Sequence, residues 1–223
     1  YSPKVFLPRI KDAGMKVIHK CTTLRHANNA VTAGVDAVTI LGAEAGGHPG
    51  VEMIGSIVQG AIASSDLDVP VVLGGGLGTG RQLLAVLALG ADGMLMGSRM
   101  TVSKEIWADD KYKTHITNVD QTATRIVMSV FNDHARVLDN RTSQAVNDME
   151  KKGISEFEQY RPLVEGNNQR SAYETGNFER GTLSMGQSCV FADRIMSVSK
   201  IFDEILADAI LMRDRLETLN TYN

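Results

Sequence analysis

The sequence predicts an α/β fold with a parallel sheet, followed by a mostly helical region. Four short runs rich in β-forming residues lie in the first hundred positions, at residues 16–21, 37–41, 71–74 and 93–97. Segments with helical spacing of apolar residues separate them, and strand, helix and strand at intervals of about 20 to 35 residues are typical of βαβ units. The similar phrases Ala-Gly-Val-Asp-Ala at 33–37 and Leu-Gly-Ala-Asp-Gly at 89–93 indicate two equivalent helix-to-strand turns.

Glycine and apolar spacing delimit the helices. Gly34 ends an Ala-rich segment and Gly90 ends a Leu/Ala segment, as C-terminal helix caps do. Beyond Arg99 no strand-like alternation follows, so we expect helices in the rest of the chain, with an apolar stripe on the last of them. The expected helices are 25–33, 53–64, 82–89, 116–137, 143–152 and 197–219, with a polar connection over 161–179.

Composition favours one large globular domain, or one domain with an appendage. The chain has 223 residues, 43% of them hydrophobic and 22% charged, with a formal net charge of −3 at pH 7. Because there is no basic excess, we expect a small-molecule substrate and neither nucleic acid nor a membrane surface as partner. Cys21 and Cys189 form no CxxC pair, and no signal segment or membrane-length apolar run is present, which favours a cytoplasmic protein.

A glycine-rich segment with one imidazole follows the second predicted strand. Four of the nine residues 42–50 are glycine, and His48 lies among them. Glycine lets a backbone approach a ligand closely, and α/β enzymes place their chemistry at the carboxyl ends of parallel strands. His48 is therefore the candidate acid/base, the alternative being a loop histidine whose ring is satisfied by backbone groups.

A second glycine-rich segment, residues 74–80, follows the third predicted strand and precedes a helix. Its N–H groups can hold an anion, to which the positive end of the helix dipole adds. One βα unit later, Gly97 and Ser98 end the fourth predicted strand with a small residue and a hydroxyl donor. Two consecutive strand ends of this kind hold one phosphate in many (β/α)8 barrels. A tight turn without a ligand is the alternative.

Two further features bear on the chemistry. Alternation along the first strand directs His19 toward the helices and Lys20 toward the opposite face, where Lys20 is either a ligand of an anion or an ordinary surface lysine. No cluster of His, Cys, Asp and Glu occurs at ligand spacing, so we predict no metal site.

These motifs together resemble the nitronate monooxygenase family. The resemblance rests on residues 17–27, Glu-Ala-Gly-Gly-His-Pro-Gly at 44–50, Gly75-Gly76, residues 87–93, and Met-Gly-Ser-Arg at 96–99. Residues 181–187 and the C-terminal tail are also similar to that family's C-terminal region. The family commonly has Ala-Gly-Gly-Ile/Phe-Ala-Asp-Gly at the position of residues 74–80 and Thr at the position of Ser98, so the chain departs from it there. FMN-dependent NAD(P)H:quinone reductases and flavin-dependent enoyl-acyl-carrier-protein reductases share the motifs.

The resemblance implies an FMN-binding TIM (β/α)8 barrel with a helical appendage. It places Lys20 at the end of the fifth barrel strand near the flavin, and Gly46 and Gly47 beside the flavin ring or its ribityl chain. It assigns the FMN phosphate to Gly75, Gly76, Gly97 and Ser98, and it matches His48 to the histidine that acts as base or positions the substrate.

An eight-stranded barrel needs roughly 250 residues, whereas four strands are predicted here. We therefore expect the chain to hold the C-terminal half of the barrel, strands 5–8. Residues 1–110 would be the second half of the FMN-binding barrel, 111–195 a mostly helical appendage, and 196–223 a terminal amphipathic helix that packs back on the barrel.

The reaction that the resemblance implies is FMN-dependent oxidation of alkyl nitronates by O2. An NAD(P)H-dependent quinone or enoyl-thioester reductase on the same scaffold is the alternative reaction, with NAD(P)H as the candidate electron donor. A phosphate-binding or interaction module is the alternative outside the enzymes. The resemblance leaves open whether the protein is a homo-oligomer.

Overall fold

The structure, a computed structural model, describes residues 3–219, so the ends of the expected ranges 1–110 and 196–223 lie outside the described residues. The described chain divides into two compact units. The first, which we call the sheet unit, comprises residues 3–43, 52–95 and 204–219. The second, which we call the hairpin unit, comprises residues 44–51 and 96–203.

The sheet unit contains four parallel strands in the order β1-β2-β3-β4. They are β1 Ile18–Cys21, β2 Ala37–Leu41, β3 Val71–Gly74 and β4 Gly93–Leu95, and helices α1 Leu7–Asp12, α2 Leu24–Ala33, α3 Ser56–Asp66 and α4 Gly80–Ala88 accompany them. The prediction of four parallel strands joined by helices is confirmed. Local patterns suffice here, because β-rich runs bounded by glycine and helices mark each βαβ unit.

The two faces of this sheet differ in burial. Val38, Ile40 and Leu73 are fully buried and pack in one core with helix residues such as Ala27 and Val86. Because neighbours along a strand point to opposite faces, the other face carries the alternate residues. At its two edge strands, Ile18 is 64% exposed and Leu95 is 43% exposed. The face away from the helices therefore leaves apolar surface open at both edges.

The last helix, α9 Val198–Leu219, is joined to α4 within the sheet unit. Arg81 N donates to Asp208 Oδ2 at 2.8 Å, and Arg81 Nη2 donates to Asp208 Oδ1 at 2.8 Å. A Cβ on Gly80 would overlap Ile205 O and Ala209 N. The first turn of α4 thus lies directly against the backbone of α9.

The hairpin unit contains an antiparallel pair, β5 Thr124–Val127 and β6 Ala135–Leu138, with α5 Asp110–Ile116, α6 Arg141–Lys151, α7 Phe157–Val164 and α8 Gly166–Thr175. The expectation of helix over 116–137 is therefore wrong. The local pattern gives no strand signal here, because Ile126 and Val127 are adjacent rather than alternating, both strands are only four residues long, and their pairing supplies the stability. Arg125 reinforces the pair through two hydrogen bonds to Asp139, at 2.9 and 2.7 Å.

Two other helix predictions had opposite outcomes. The helix over 143–152 is confirmed as α6, which begins after a capping box between Asn140 and Ser143. The prediction of a polar connection over 161–179 is wrong, because this range contains the end of α7 and all of α8. Helix α8 is polar overall, but Ala172 and Asn168 are buried, so a narrow buried side is enough to hold it.

We predict that Gly80→Ala lowers the free energy of unfolding by about 2 kcal/mol, because the added methyl would displace α9 from α4. Chemical denaturation followed by circular dichroism measures the change. Gly166→Ala is the matched control, since a Cβ there has no heavy atom within 4 Å. Equal stability of both variants would contradict the contact.

We also predict an acid-sensitive contribution from Asp208. The hydrogen bond from Arg81 is the main cause that lowers the pKa of this carboxyl. Its pKa is thus lower in the folded than in the unfolded state, so the stabilisation is full above the unfolded value of about 3.9 and is lost as the pH falls below it. Between pH 5 and pH 3, as approximate limits, the free energy of unfolding should fall less steeply for Asp208→Asn than for the wild type. Parallel slopes would contradict this prediction.

Candidate active site

The glycine-rich loop of the sheet unit begins directly after β3. Gly75 and Gly76 have φ values of +107° and +71°, in the region that favours glycine. A Cβ on Gly75 would lie 3.0 Å from both N and O of Gly42. Gln82 holds the loop to α4, since its Nε2 donates to Gly76 O at 2.9 Å and its Oε1 accepts from Gly78 N at 2.8 Å. The loop is therefore a rigid turn that requires glycine.

The expected contribution of the α4 dipole to an anion site stays a prediction, and groups of the chain itself compete for that helix end. Its first-turn N–H groups already have acceptors within the sheet unit: Arg81 N donates to Asp208, and Gln82 N donates to Thr79 Oγ1 at 3.3 Å. A carboxylate of the chain itself thus lies at the positive end of the helix. Because Gly78 N also donates to Gln82 Oε1, an anion at this loop would be bound by the N–H groups that precede Gly78.

Lys20 lies on β1 and is exposed. In register it pairs with Thr39 of β2, which pairs with Val72 of β3, so all three side chains share the face away from the helices. Gly75 follows Val72 by three residues, which is roughly 10 Å along the strand, and β3 lies two strands, or roughly 10 Å, from β1. The sheet places Lys20 and the glycine loop on one face but not in contact.

In the hairpin unit, the loop of residues 44–51 is attached to β6. Gly47 N donates to Arg136 O at 2.9 Å and Arg136 N donates to Gly47 O at 2.6 Å, forming an antiparallel bridge. The segment 183–185 also bonds to β6, through Leu138 N to Leu183 O at 2.8 Å and Met185 N to Arg136 O at 3.3 Å. The glycine-rich loop is thereby fixed by backbone hydrogen bonds.

Gly46 packs against another glycine that the sequence reasoning did not single out. A Cβ on Gly46 would lie 2.7 Å from Gly186 N, and a Cβ on Gly186 would lie 2.7 Å from Glu44 O. Gln187 N donates to Glu44 O at 3.0 Å. Glycine at position 46 is therefore demanded by the neighbouring backbone. The one sequence signal for Gly186 is that residues 181–187 resemble the C-terminal region of the family.

Ser98 joins the same arrangement. Its side chain is buried, and its Oγ accepts from Gly186 N at 2.8 Å, which leaves its own O–H group to donate. Gly97 is different, because a Cβ there would have no heavy atom within 4 Å and its φ is −116°. Neither packing nor backbone conformation requires glycine at position 97, so the space above its backbone is open.

His48 projects from the fixed loop toward solvent. Its side chain is 66% exposed, and its Nε2 lies 3.6 Å from Oδ1 of Asp133, in the turn between β5 and β6. Sequence reasoning missed Asp133 as a partner, because the residues are far apart in the chain and the turn was expected to be helical. The hairpin unit thus brings together His48, Gly46, Gly47 and Ser98 with Asp133 and Gly186.

Three further features bear on function: the thiol of Cys21, groups that could hold a metal ion, and helices that could span a membrane. Burial raises the pKa of Cys21 to about 11, which keeps its thiol protonated and unreactive near neutral pH. Within residues 3–219, no three His, Cys, Asp or Glu side chains lie close enough to hold a metal ion. Over the same range, no helix has both the length and the apolar character to cross a membrane.

Comparison with known proteins decides the family. The family model for nitronate monooxygenase matches residues 2–208. The chain belongs to the nitronate monooxygenase family. The resemblance inferred from its motifs is thereby confirmed.

Curated relatives in this nitronate monooxygenase family cover part of the chain. Probable nitronate monooxygenases of Staphylococcus aureus strains JH9 and Newman are 30% and 31% identical to it over 152 residues. In both, the match covers 65% of this chain and 43% of the relative. The matched part is therefore less than half the length of these relatives.

Solved structures agree with the family and with the α/β part of the predicted fold. FabK from Thermotoga maritima superposes with a TM-score of 0.89 at 29% identity, covering 100% of this chain and 69% of that one. Nitroalkane oxidase from Streptomyces ansochromogenes superposes with a TM-score of 0.80 at 26% identity, covering 96% of this chain and 62% of that one.

We predict that Gly46→Ala lowers the free energy of unfolding by about 2 kcal/mol, because its Cβ would collide with the backbone at Gly186. The fluorescence of Trp107, the single tryptophan of the chain, reports unfolding of the hairpin unit. Gly47→Ala is the control: its Cβ would meet only Ser184 Oγ at 3.7 Å, so it should cost just the strain of its φ of +79°, about 1 kcal/mol. A smaller loss at position 46 than at 47 would contradict the packing.

Proposed function

We propose that the chain is part of an FMN-dependent oxidoreductase that oxidises alkyl nitronates with O2. The observation that carries the proposal is the exposed imidazole of His48 on a loop that two backbone hydrogen bonds fix to β6. A rigid support with a solvent-exposed imidazole is what an acid/base or substrate-binding group needs. Family membership and the likeness to a nitroalkane oxidase support the reaction class.

For the architecture, we propose that the four-stranded sheet corresponds to strands 5–8 of a TIM (β/α)8 barrel. The parallel order β1-β2-β3-β4 and the apolar side chains of Ile18 and Leu95 at the two edges support this, since a barrel closes by pairing such edges. The division into 1–110, 111–195 and 196–223 is part of the same proposal.

The residues proposed for FMN are chemically suited to it. In the sheet unit, Lys20 supplies an exposed cation, and Gly75 and Gly76 form the turn after β3. In the hairpin unit, Ser98 keeps a hydroxyl proton to donate, and the open space at Gly97 lets a ligand reach the backbone. For Gly46 and Gly47, we propose contact through the backbone. The flavin itself would supply the electron transfer.

His48 would serve the substrate. With a neutral nitroalkane, the imidazole would take the proton from the carbon next to the nitro group. A nitronate has already lost that proton, so it needs no base, and there only a protonated His48 ring would donate a hydrogen bond to a nitronate oxygen. The two substrate forms therefore separate the two roles.

A second reaction is supported by the similarity to FabK and by the motifs shared with flavin-dependent enoyl-acyl-carrier-protein reductases. On the same scaffold, NAD(P)H would reduce a quinone or an enoyl thioester. His48 would then donate a hydrogen bond or a proton to the substrate oxygen.

The test uses the protein at the full length of its gene. We expect flavin absorption bands after purification, release of FMN on denaturation, and O2 consumption with ethyl nitronate. Rapid oxidation of NAD(P)H with quinone or enoyl thioester, and no reaction with nitronate, would select the second reaction. A colourless protein that takes up no FMN would contradict both.

The role of His48 is tested in the same assay by His48→Asn. We expect kcat/KM for neutral nitroethane to fall about 100-fold, the size of a lost general base, while turnover of ethyl nitronate changes less than about twofold. His26→Asn, which changes an exposed histidine of α2, is the control. Unchanged turnover of both substrates by His48→Asn would refute the role as base.

A further inference from the structure

We propose that Asp133 is a positioning residue for His48: its carboxylate orients the imidazole and stabilises the charge that the ring acquires with a proton. The proposal rests on the proposed function, namely that His48 takes a proton from a neutral nitroalkane. Oδ1 of Asp133 lies 3.6 Å from Nε2 of His48, and both side chains are 66% exposed. Such contacts are often long in a free enzyme and shorten when substrate binds.

The position of His48 is fixed on its side of the pair. The next residue toward the N-terminus, Gly47, exchanges two backbone hydrogen bonds with Arg136, at 2.9 and 2.6 Å. The bridge places His48, the residue after Gly47, near the start of β6 and so near the turn that precedes it. The nearness of His48 to the β5–β6 turn therefore follows from strand pairing.

The position of Asp133 is fixed by the turn. Met128 and Asn132, at the two ends of a short 3-10 turn, have φ values of +65° and +51°, which are uncommon for residues other than glycine. Asp133 N donates to Met128 O at 3.3 Å. Phe131, inside the turn, packs edge-on against Phe157 and Tyr160 with ring centroids 5.7 and 5.1 Å apart. These contacts fix the backbone of the turn and therefore the position from which the Asp133 side chain extends.

The geometry assigns the two ring nitrogens. Nε2 faces Asp133 across 3.6 Å, so when the contact shortens Nε2 would carry the hydrogen that the carboxylate accepts, and Nδ1 would keep its lone pair for the substrate. In the reaction, the C–H bond next to the nitro group breaks, its proton bonds to Nδ1, and its electron pair stays on the nitronate. The imidazolium beside the Asp133 carboxylate then releases the proton to water.

Neighbouring charges do not replace this pairing. Arg136 and Glu44 interact electrostatically, and burial is the main cause that lowers the pKa of Arg136 while Glu44 opposes it. Arg136 Nη1 also donates to Thr124 Oγ1 at 3.2 Å. His134, the residue next to Asp133, has its Nδ1 buried. Asp133 is thus the carboxylate placed to act on the His48 ring.

The experiment compares neutral nitroethane with ethyl nitronate in the full-length protein. For Asp133→Ala we expect kcat with nitroethane to fall about tenfold, a part of what the base itself contributes. Turnover of the nitronate should stay within about twofold of wild type, because it needs no base. Asp133→Glu, which keeps the carboxylate, should recover most of the loss. Asp203→Ala removes an exposed carboxylate of α9 and is the control.

The outcomes separate failure of this proposal from failure of the proposed function. An equal loss with both substrates would show a structural role, and no loss with either would show no role; each overturns the proposal. If wild type turns over neither substrate, the proposed function fails, and the His48–Asp133 pairing is judged by ¹⁵N NMR of the histidine rings. We then expect Asp133→Ala, but not Asp203→Ala, to shift the His48 ring nitrogens; an unchanged spectrum would overturn the pairing.

Discussion

Close packing of backbone on backbone at Gly46 and Gly186 is the constraint on which the hairpin unit depends. Neither position has room for a Cβ, because the space of each missing side chain is filled by the other segment. The same Gly186 donates its N–H to Ser98. Three segments that are far apart in sequence therefore meet at one place. The exposed His48 owes its position to these buried contacts two residues away.

The glycines of these motifs are needed for different physical reasons. Gly46 is required by a neighbouring backbone, and Gly75 by both its positive φ and the approach of Gly42. Gly97 has neither requirement, so neither packing nor backbone conformation explains glycine at that position. Among the proposed cofactor residues, Gly97 and Ser98 are thus the ones whose structure leaves most capacity for a bound group.

The N-terminus of α4 is occupied by a carboxylate of the protein itself, which affects any anion site beside it. Asp208 from α9 accepts from Arg81 N and also pairs with the Arg81 guanidinium, so a carboxylate of the protein already lies at the positive end of α4. The interaction stabilises the sheet unit by joining the last helix to it. A phosphate proposed at Gly75 and Gly76 would therefore be bound through the N–H groups of that loop.

The sequence by itself determined the four parallel strands and their helices, because those features follow from local periodicity and turn residues. It also indicated His48 as the candidate base, which stays a prediction. It did not determine the hairpin. The short strands β5 and β6 are stabilised by each other and by a turn in which Met128 and Asn132 adopt left-handed conformations. Nor did it indicate that Gly186 packs on Gly46 or that Asp133 lies beside His48. Such contacts join residues many positions apart, so only the tertiary structure decided them.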